Sequence, residues 1–387
     1  MRQVLRIIAV ILLAAMVFSV ARYLDNNPRN AVPGLVKNRA EDAATEVKET
    51  VVLETTKVWE STPVETISHE ETISHEETES QEERFLLTFV GDCTFGANPS
   101  NYYAGYGFIK TVGEDYGYPF RNVITWFEND ECSFVNLEGP LTDEGNPVQK
   151  KHAFKGPADY VKILANNSIE AVTIANNHSE DCGQKGYEAT VSTLEAENIS
   201  YVERDNSCIF TTENGLKIGM YGAVYYVLDE EAIIAGISAL KEQNCDLVIF
   251  APHWGVEGTY HPTAEQEKLG HAAIDAGADI VWGSHPHVLQ PIEEYNGGII
   301  YYSLGNFSFG GNGYPRDYDT ALLQQEVIRA ADGTVTLGAL TIVPASVSSI
   351  KERNNYQPTP CETGTEMYDR VLQKLDGSWT GANLSTQ

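Results

Sequence analysis

FLLTFVGDCTFG, residues 85–96, decides the fold: an apolar run suited to a buried strand ends on Gly91 and Asp92, a flexible backbone point followed by a carboxylate. The pattern recurs along the chain. CSFV (132–135) precedes Asn136-Leu137-Glu138, IEAVTIA (169–175) precedes Asn176-Asn177-His178, DLVIFA (246–251) leads into Pro252-His253-Trp254, and DIVW (279–282) into Ser284-His285-Pro286-His287. A chain that needs only a packed core has little reason to end so many strands on potential metal ligands. Helical patterns lie between these runs, among them PADYVKILANN (157–167), GQKGYEATVSTLEAE (183–197), DEEAIIAGISALKEQ (229–243) and TAEQEKLGHAAIDAGA (263–278). Alternation of this kind predicts crossover units and mainly parallel pairing, with the carboxyl ends of the strands on one edge, where ligand sites form.

Asp, Glu, Asn and neutral His together form a hard-to-borderline donor set suited to Zn, Mn, Fe or Mg, and paired ions about 3.5–4 Å apart form a common hydrolytic centre. One carboxylate can bridge while imidazoles hold either side. Singly, each residue has a plainer use: Asp92 in a turn, Asn176 and Asn177 as helix caps, His253 as a hydrogen-bonded interior histidine. The ordered set is what makes a metal centre the reading.

Taken in order, FVGDCTFG, NLEGPLT, TIANNHSEDCG, APHWGVE, GSHPHVLQPIE and YSLGNF resemble the motif series of the CapA/PgsA-type poly-γ-glutamate capsule biosynthesis family, relatives of calcineurin-like metallophosphoesterases. The resemblance runs from about residue 85 to about residue 347. It implies an α/β fold, a calcineurin-like layered α/β/β/α sandwich, with one or two divalent ions at its strand ends. By the same resemblance Asp92 binds one metal, Glu138 is the bridging carboxylate, Asn177 and His253 are ligands, and His285 and His287 reach different metals. His178 is the implied catalytic residue, as general acid or substrate contact. Phosphoesterases open with Asp-x-His, whereas this chain reads Asp92-Cys93-Thr94, so one ligand of the first metal is missing or replaced. Along a strand the Cys93 side chain points away from that of Asp92, which assigns it to packing.

Asn136, Asn176, Trp254 and Asn306 are the substrate-contact candidates. Trp254 and Glu257, flanking His253, have packing around the site as their alternative, and Asn306 has a turn in which Gly305 supplies the backbone freedom. The resemblance implies a role in making or attaching an anionic envelope polymer, by metal-assisted hydrolysis or transfer. The alternative is a non-catalytic, membrane-tethered assembly or polymer-binding subunit of a capsule synthesis complex.

Residues 1–24 carry Arg2 and Arg6 ahead of an apolar stretch at 7–20, near the length of a signal-peptide core. Ser19-Val20-Ala21 offers a cleavage point, so a retained single-pass anchor with an extracytoplasmic domain and a secreted, cleaved form are both open; the resemblance favours the anchor. Residues 25–84 hold fifteen acidic and six basic residues and a duplicated ETISHE, with no apolar periodicity. Such a segment cannot offset the entropy of ordering and is expected to be a disordered acidic linker. The domain proper is expected at 85–347, with a polar extension at 348–387 that carries one helix at 365–375 and a soft tail.

From residue 85 onward, 40 acidic and 17 basic residues leave a formal charge of −23, which repels nucleic acid and also repels a polyanion except where metal or a basic patch reverses the field. Lys150, Lys151, His152 and Lys155 are the one basic cluster, placed to steer an anionic polymer or its precursor or simply to form a solvated loop. Six cysteines lack the CxxC spacing of zinc ribbons or redox motifs, and no pairing follows from their positions.

Overall fold

β1 (Glu83–Thr94) runs through the middle of an eight-stranded sheet and is buried on both faces from Leu87 to its end, which is why its sequence is a nearly continuous apolar run. The computed structural model describes residues 82–98 and 105–384, all within one compact unit. The expected anchor and the acidic linker as far as residue 81 lie outside the described residues. Among the described residues no helix is long and apolar enough to cross a membrane. The strand starts earlier than its apolar run, since Glu83 and Arg84 already pair with Arg329 and Ile328.

β2 (Cys132–Leu137), β3 (Ala171–Thr173) and β4 (Ser200–Val202) follow β1 in a parallel series, and β11 (Asn306–Phe309) adds parallel to β1. On the other side of β1 the pairing is antiparallel, through β12 (Asp319–Arg329), β13 (Val335–Ser346) and β14 (Thr359–Pro360). A second, six-stranded sheet has a parallel centre of β6 (Lys217–Val224), β7 (Leu247–His253), β8 (Ile280–Trp282) and β10 (Gly298–Tyr301). Its edges, β5 (Ser207–Thr211) and β9 (Ile292–Tyr295), are antiparallel. The expectation of mainly parallel pairing therefore holds around the site and fails at β12 and β13, whose tight connection at Gly333 reverses the chain.

The layers follow from which faces are apolar. Phe89 and Phe134 of the first sheet meet Met220, Ile249, Trp282 and Tyr301 of the second in the central core. On the outer face of the first sheet, Val90, Val135 and Val172 pack on α1 (Phe108–Val112), α2 (Ile124–Phe127), α3 (Val161–Ala165) and α4 (Gly183–Ala196). Over the second sheet, Ile233 and Ile237 of α5 (Glu230–Glu242) and Leu269 and Ala273 of α6 (Ala264–Asp275) cover Val248, Phe250 and Val281. The result is the expected α/β/β/α order.

A bulge aims the first carboxylate. Phe89 pairs with Phe134, but Asp92 pairs with Asn136, so β1 spends one residue more than β2 over the same length. The extra residue inverts the alternation: Phe85, Leu87 and Phe89 face the central core, whereas Cys93 joins Val90 in the helix-side cluster. Gly91 is required there, since a Cβ would stand 1.9 Å from the Gly305 carbonyl oxygen. At the same bulge the Val90 carbonyl accepts from Trp282 Nε1 of the opposite sheet at 2.9 Å.

The polar extension packs onto the sheets. α7 (Glu366–Leu375), where a helix was expected, sends Val371 and Leu375 into the central core. Its Lys374 is buried against Asp317 (2.6 Å) and Asp319 (2.7 Å), and Arg370 grips Asp319 through two bonds of 2.6 and 2.7 Å. Asn354, Asn355, Tyr356 and Gln357 are also buried, each hydrogen-bonded, which lets a hydrophilic stretch lie inside.

Candidate metal centre

All the strand-end residues converge. Asp92 closes β1, Glu138 follows β2 and Asn177 and His178 follow β3, while from the second sheet His253 ends β7 and His285 and His287 follow β8. Pairing brings Asp92 level with Asn136 and Asn306, and a bridge joins His253 to Ser284. Each half of the centre thus comes from a different sheet. His285 and His287 occupy left-handed backbone (φ 99° and 57°), strain of the kind that gathers at functional sites.

Glu138 is the hub. It is fully buried, neither carboxylate oxygen has a hydrogen bond, and its Oε1 stands 3.8 Å from His178 Nε2, 3.8 Å from His253 Nε2 and 3.7 Å from His287 Nε2. Those separations exceed hydrogen-bond length, and a buried carboxylate left unsatisfied is costly unless something else completes it. Asp92, Glu138 and His287 offer ligand atoms within 4.8 Å of one another. Across the hub, His253 Nε2 and Asn177 Oδ1 lie 2.9 Å apart and the His253 and His285 rings 4.7 Å apart. This donor set fits a divalent cation, and the orphaned Glu138 oxygens are the sign of it.

Charge and burial set the protonation states. Burial pushes Glu138 upward, and Glu138 followed by Asp92 hold the His287 imidazole well above its ordinary range against the pull of burial. Burial, then the neighbouring His287, drops His285 to about 3; burial, then His285, puts His253 well below its usual value. Both are therefore neutral, the form that binds metal. His253 Nδ1 contacts Ser284 Oγ at 2.9 Å and His287 Nδ1 contacts Asn306 Oδ1 at 3.0 Å, so in each case the far ring nitrogen is left toward Glu138.

His178 is held differently. Its Nδ1 lies 2.7 Å from Asp181 Oδ2, its ring packs on Phe154, and its Nε2 faces Glu138. Asp181 is buried and also bonded by the Phe154 amide (2.6 Å) and by Lys150. The Lys150 ammonium further reaches the Asn177 carbonyl at 3.0 Å. Burial lowers the His178 imidazole, with Asp181 opposing.

The substrate-contact candidates separate. Asn306 lines a cavity of about 230 Å³ with His178, His287, Lys151, Glu257 and Arg316. Trp254 does not: it is fully buried in the helix-side core and donates to the Tyr302 carbonyl at 2.9 Å, because strand alternation turns it opposite to His253. Asn136 is likewise sealed in, donating to Asp92 Oδ1 (2.8 Å) and accepting from Asn176 (3.0 Å). Asn176 spends its amide on Asn136 and the Leu137 carbonyl. Asn176 nonetheless reaches the wall of a cavity shared with Asn177 and Lys150.

Thr94 occupies the place of the absent imidazole, and its hydroxyl is committed to the Glu138 carbonyl at 2.7 Å. Cys93 is in the helix-side core, where burial raises its thiol. Sequence reasoning missed Asp181 and Ser284; each lies within a motif already singled out, Asp181 three residues past His178. Tyr225, stacked on His285 at 4.7 Å, carried no signal. The basic cluster reaches the site through Lys150, Lys151 and His152, while Lys155 turns to the carbonyls of Asp143, Glu144 and Gly145.

A family model described as bacterial capsule synthesis protein PGA_cap matches residues 86–311. The capsule biosynthesis protein CapA of Bacillus anthracis is 30% identical over 313 residues, covering 70% of this chain and 72% of that one. The PGA biosynthesis protein CapA of Bacillus subtilis is 30% identical over 319 residues, 76% of this chain and 81% of its own. Among solved structures, the 5'-nucleotidase of Candida albicans superimposes with a TM-score of 0.39 at 15% identity, over 74% of this chain and 56% of that one.

Proposed function

Because the chain belongs to the bacterial capsule synthesis protein family, we propose that it serves in making or attaching an anionic envelope polymer, poly-γ-glutamate or a close analogue, through a metal-dependent hydrolase-like or transferase-like site. The observation that carries the chemistry is the buried, unsatisfied Glu138 carboxylate ringed by three imidazole nitrogens. Asp92, Glu138 and His287 would hold a cation on one side, and Asn177, His253 and His285 on the other, with Mn, Zn, Fe or Mg as candidates. Bound there, a divalent ion supplies Lewis acidity toward a phosphoryl or acyl oxygen.

The protein's own groups do the rest. Asp181, an acceptor only, keeps the His178 Nδ1 proton in place and leaves Nε2 to exchange a proton with a departing oxygen in the cleft. Lys151 and Arg316 on the cavity wall offset the negative field of the chain for an anionic substrate. Arg2, Arg6 and the apolar stretch at 7–20 support an extracytoplasmic placement, tethered to the membrane beside other capsule synthesis subunits or released after cleavage.

Thr94 in place of an imidazole favours a second reading, a polymer-binding subunit without turnover. The deciding experiment assays the purified chain from residue 82 for metal content and for metal-dependent turnover of phosphoester and γ-glutamyl substrates. Bound metal with turnover supports the enzyme; bound metal with tight polymer binding and no turnover supports the subunit; a metal-free protein indifferent to added ions overturns both.

A further inference from the structure

Glu257 sits on a short loop that the fold has gone to some length to place. β7 ends at His253, Trp254 plunges into the core, and the chain then turns at Gly255 (φ 83°) and Gly258 (φ 73°). A Cβ at Gly255 would meet the Gln266 amide at 2.6 Å, so the turn is pressed against α6 and cannot relax outward. Backbone bonds from Trp254 to the Ser284 carbonyl (3.0 Å) and from Gly258 to the Pro286 carbonyl (2.8 Å) lash both ends of the loop to the His285–His287 turn. Between them the Glu257 carboxylate lies over the histidines: Glu257, His285 and His287 offer ligand atoms within 4.8 Å of one another.

Two further observations point to an ion. His285 is buried, and its Nδ1 has no hydrogen-bond partner. His287 belongs at once to this group and to the group of Asp92 and Glu138, so the two groups meet at one imidazole. Meanwhile the first motif supplies one protein donor fewer than Asp-x-His would, since Thr94 is bonded to a carbonyl.

Building on the metal reading above, we propose that Glu257 is a ligand of the centre, a carboxylate reaching in from the open side so that the centre keeps its complement of protein donors although Thr94 gives none. A carboxylate in place of an imidazole would harden the donor set and lower its net charge, which favours Mn or Mg over Zn.

The test strips the purified full-length chain with chelator and titrates it with Mn²⁺ alone, reading free Mn²⁺ by its electron paramagnetic resonance signal. Glu257→Gln should weaken binding of one Mn²⁺ by roughly tenfold or more, while the melting temperature of the metal-free protein stays where it was. Val256→Ser, on the same loop but without a ligand atom facing the histidines, should bind as the wild type does. Wild-type binding with unchanged stoichiometry and affinity in Glu257→Gln would overturn the assignment of Glu257 and leave the metal reading intact. Equal weakening by Val256→Ser would also overturn it, by showing that loop disturbance suffices. Absence of Mn²⁺ binding in the wild type would remove the metal reading itself.

Discussion

His178 and Asn177 are adjacent in sequence and turn to different partners. Asn177 puts Oδ1 2.9 Å from His253 Nε2, among the donors, whereas His178 is tied back through Asp181 with its other nitrogen toward the cleft. His178→Asn should therefore keep metal content and melting temperature while lowering any hydrolytic rate by roughly 10²–10⁴-fold, the scale of a lost general acid. Asn177→Ala should instead lower metal affinity, measured by titration of the stripped protein. A His178→Asn variant that loses its metal would place that ring among the ligands. The division was legible in TIANNHSEDCG only by resemblance. The residues alone could not show that the hydrogen-bonded turn from His178 to Asp181 brings the carboxylate onto the Nδ1 edge of the ring.

Among the elements, β1 and α7 show what pattern reading reaches. The strand ends that carry Asp92, Glu138 and His253 were readable because burial on both faces writes an apolar run into the chain. The bulge was not, since it changes register without changing composition, and Trp254 was misjudged because adjacency to a ligand says nothing about which face it takes. In the extension, Lys374 looks solvated in sequence, yet it and its partner Asp319 are buried. Lys374→Ala should leave Asp317 to the Tyr260 hydroxyl and Asp319 to Arg370, and cost about 1–3 kcal/mol in denaturant unfolding, below the scale for a buried charge left wholly uncompensated. Ahead of β2, burial raises the Asp130 carboxyl to about 7 despite bonds from Ser133 and Thr88. A carboxyl whose folded value exceeds its unfolded value near 4 stabilises the fold when protonated, and that contribution fades as pH rises from about 4 to about 7. Asp130→Asn should flatten that part of the stability profile and melt a few degrees higher than wild type at pH 8; equal slopes in both proteins would refute this.

For the whole molecule, a single chain does not announce which strands share a sheet, so the two-sheet arrangement was available only through the family resemblance and the long antiparallel pair not at all. At the start of the described chain, β1 begins at Glu83, which ties to Arg329 by a 2.7 Å ion pair. The chain from residue 82 should keep the melting temperature of the full chain, and a large drop would show that the acidic segment packs on the domain. Cutting after residue 347 should instead fail, because Val371 and Leu375 fill the central core.

With Asp92, Glu138 and Asn177 at strand ends of one sheet and His253, His285 and His287 at those of the other, an ion held among them would be a clasp across the seam. Separating the sheets destroys the seat, so the unfolded chain binds the ion poorly and every increment of occupancy is borrowed from folding. Melting temperature should then climb with the logarithm of metal concentration, by an amount equivalent to about 2.7 kcal/mol at a hundred times the dissociation constant. Cells starved of the ion would hold a looser protein, more open to proteases, and abundance of the polymer's machinery would track metal supply even before any reaction did.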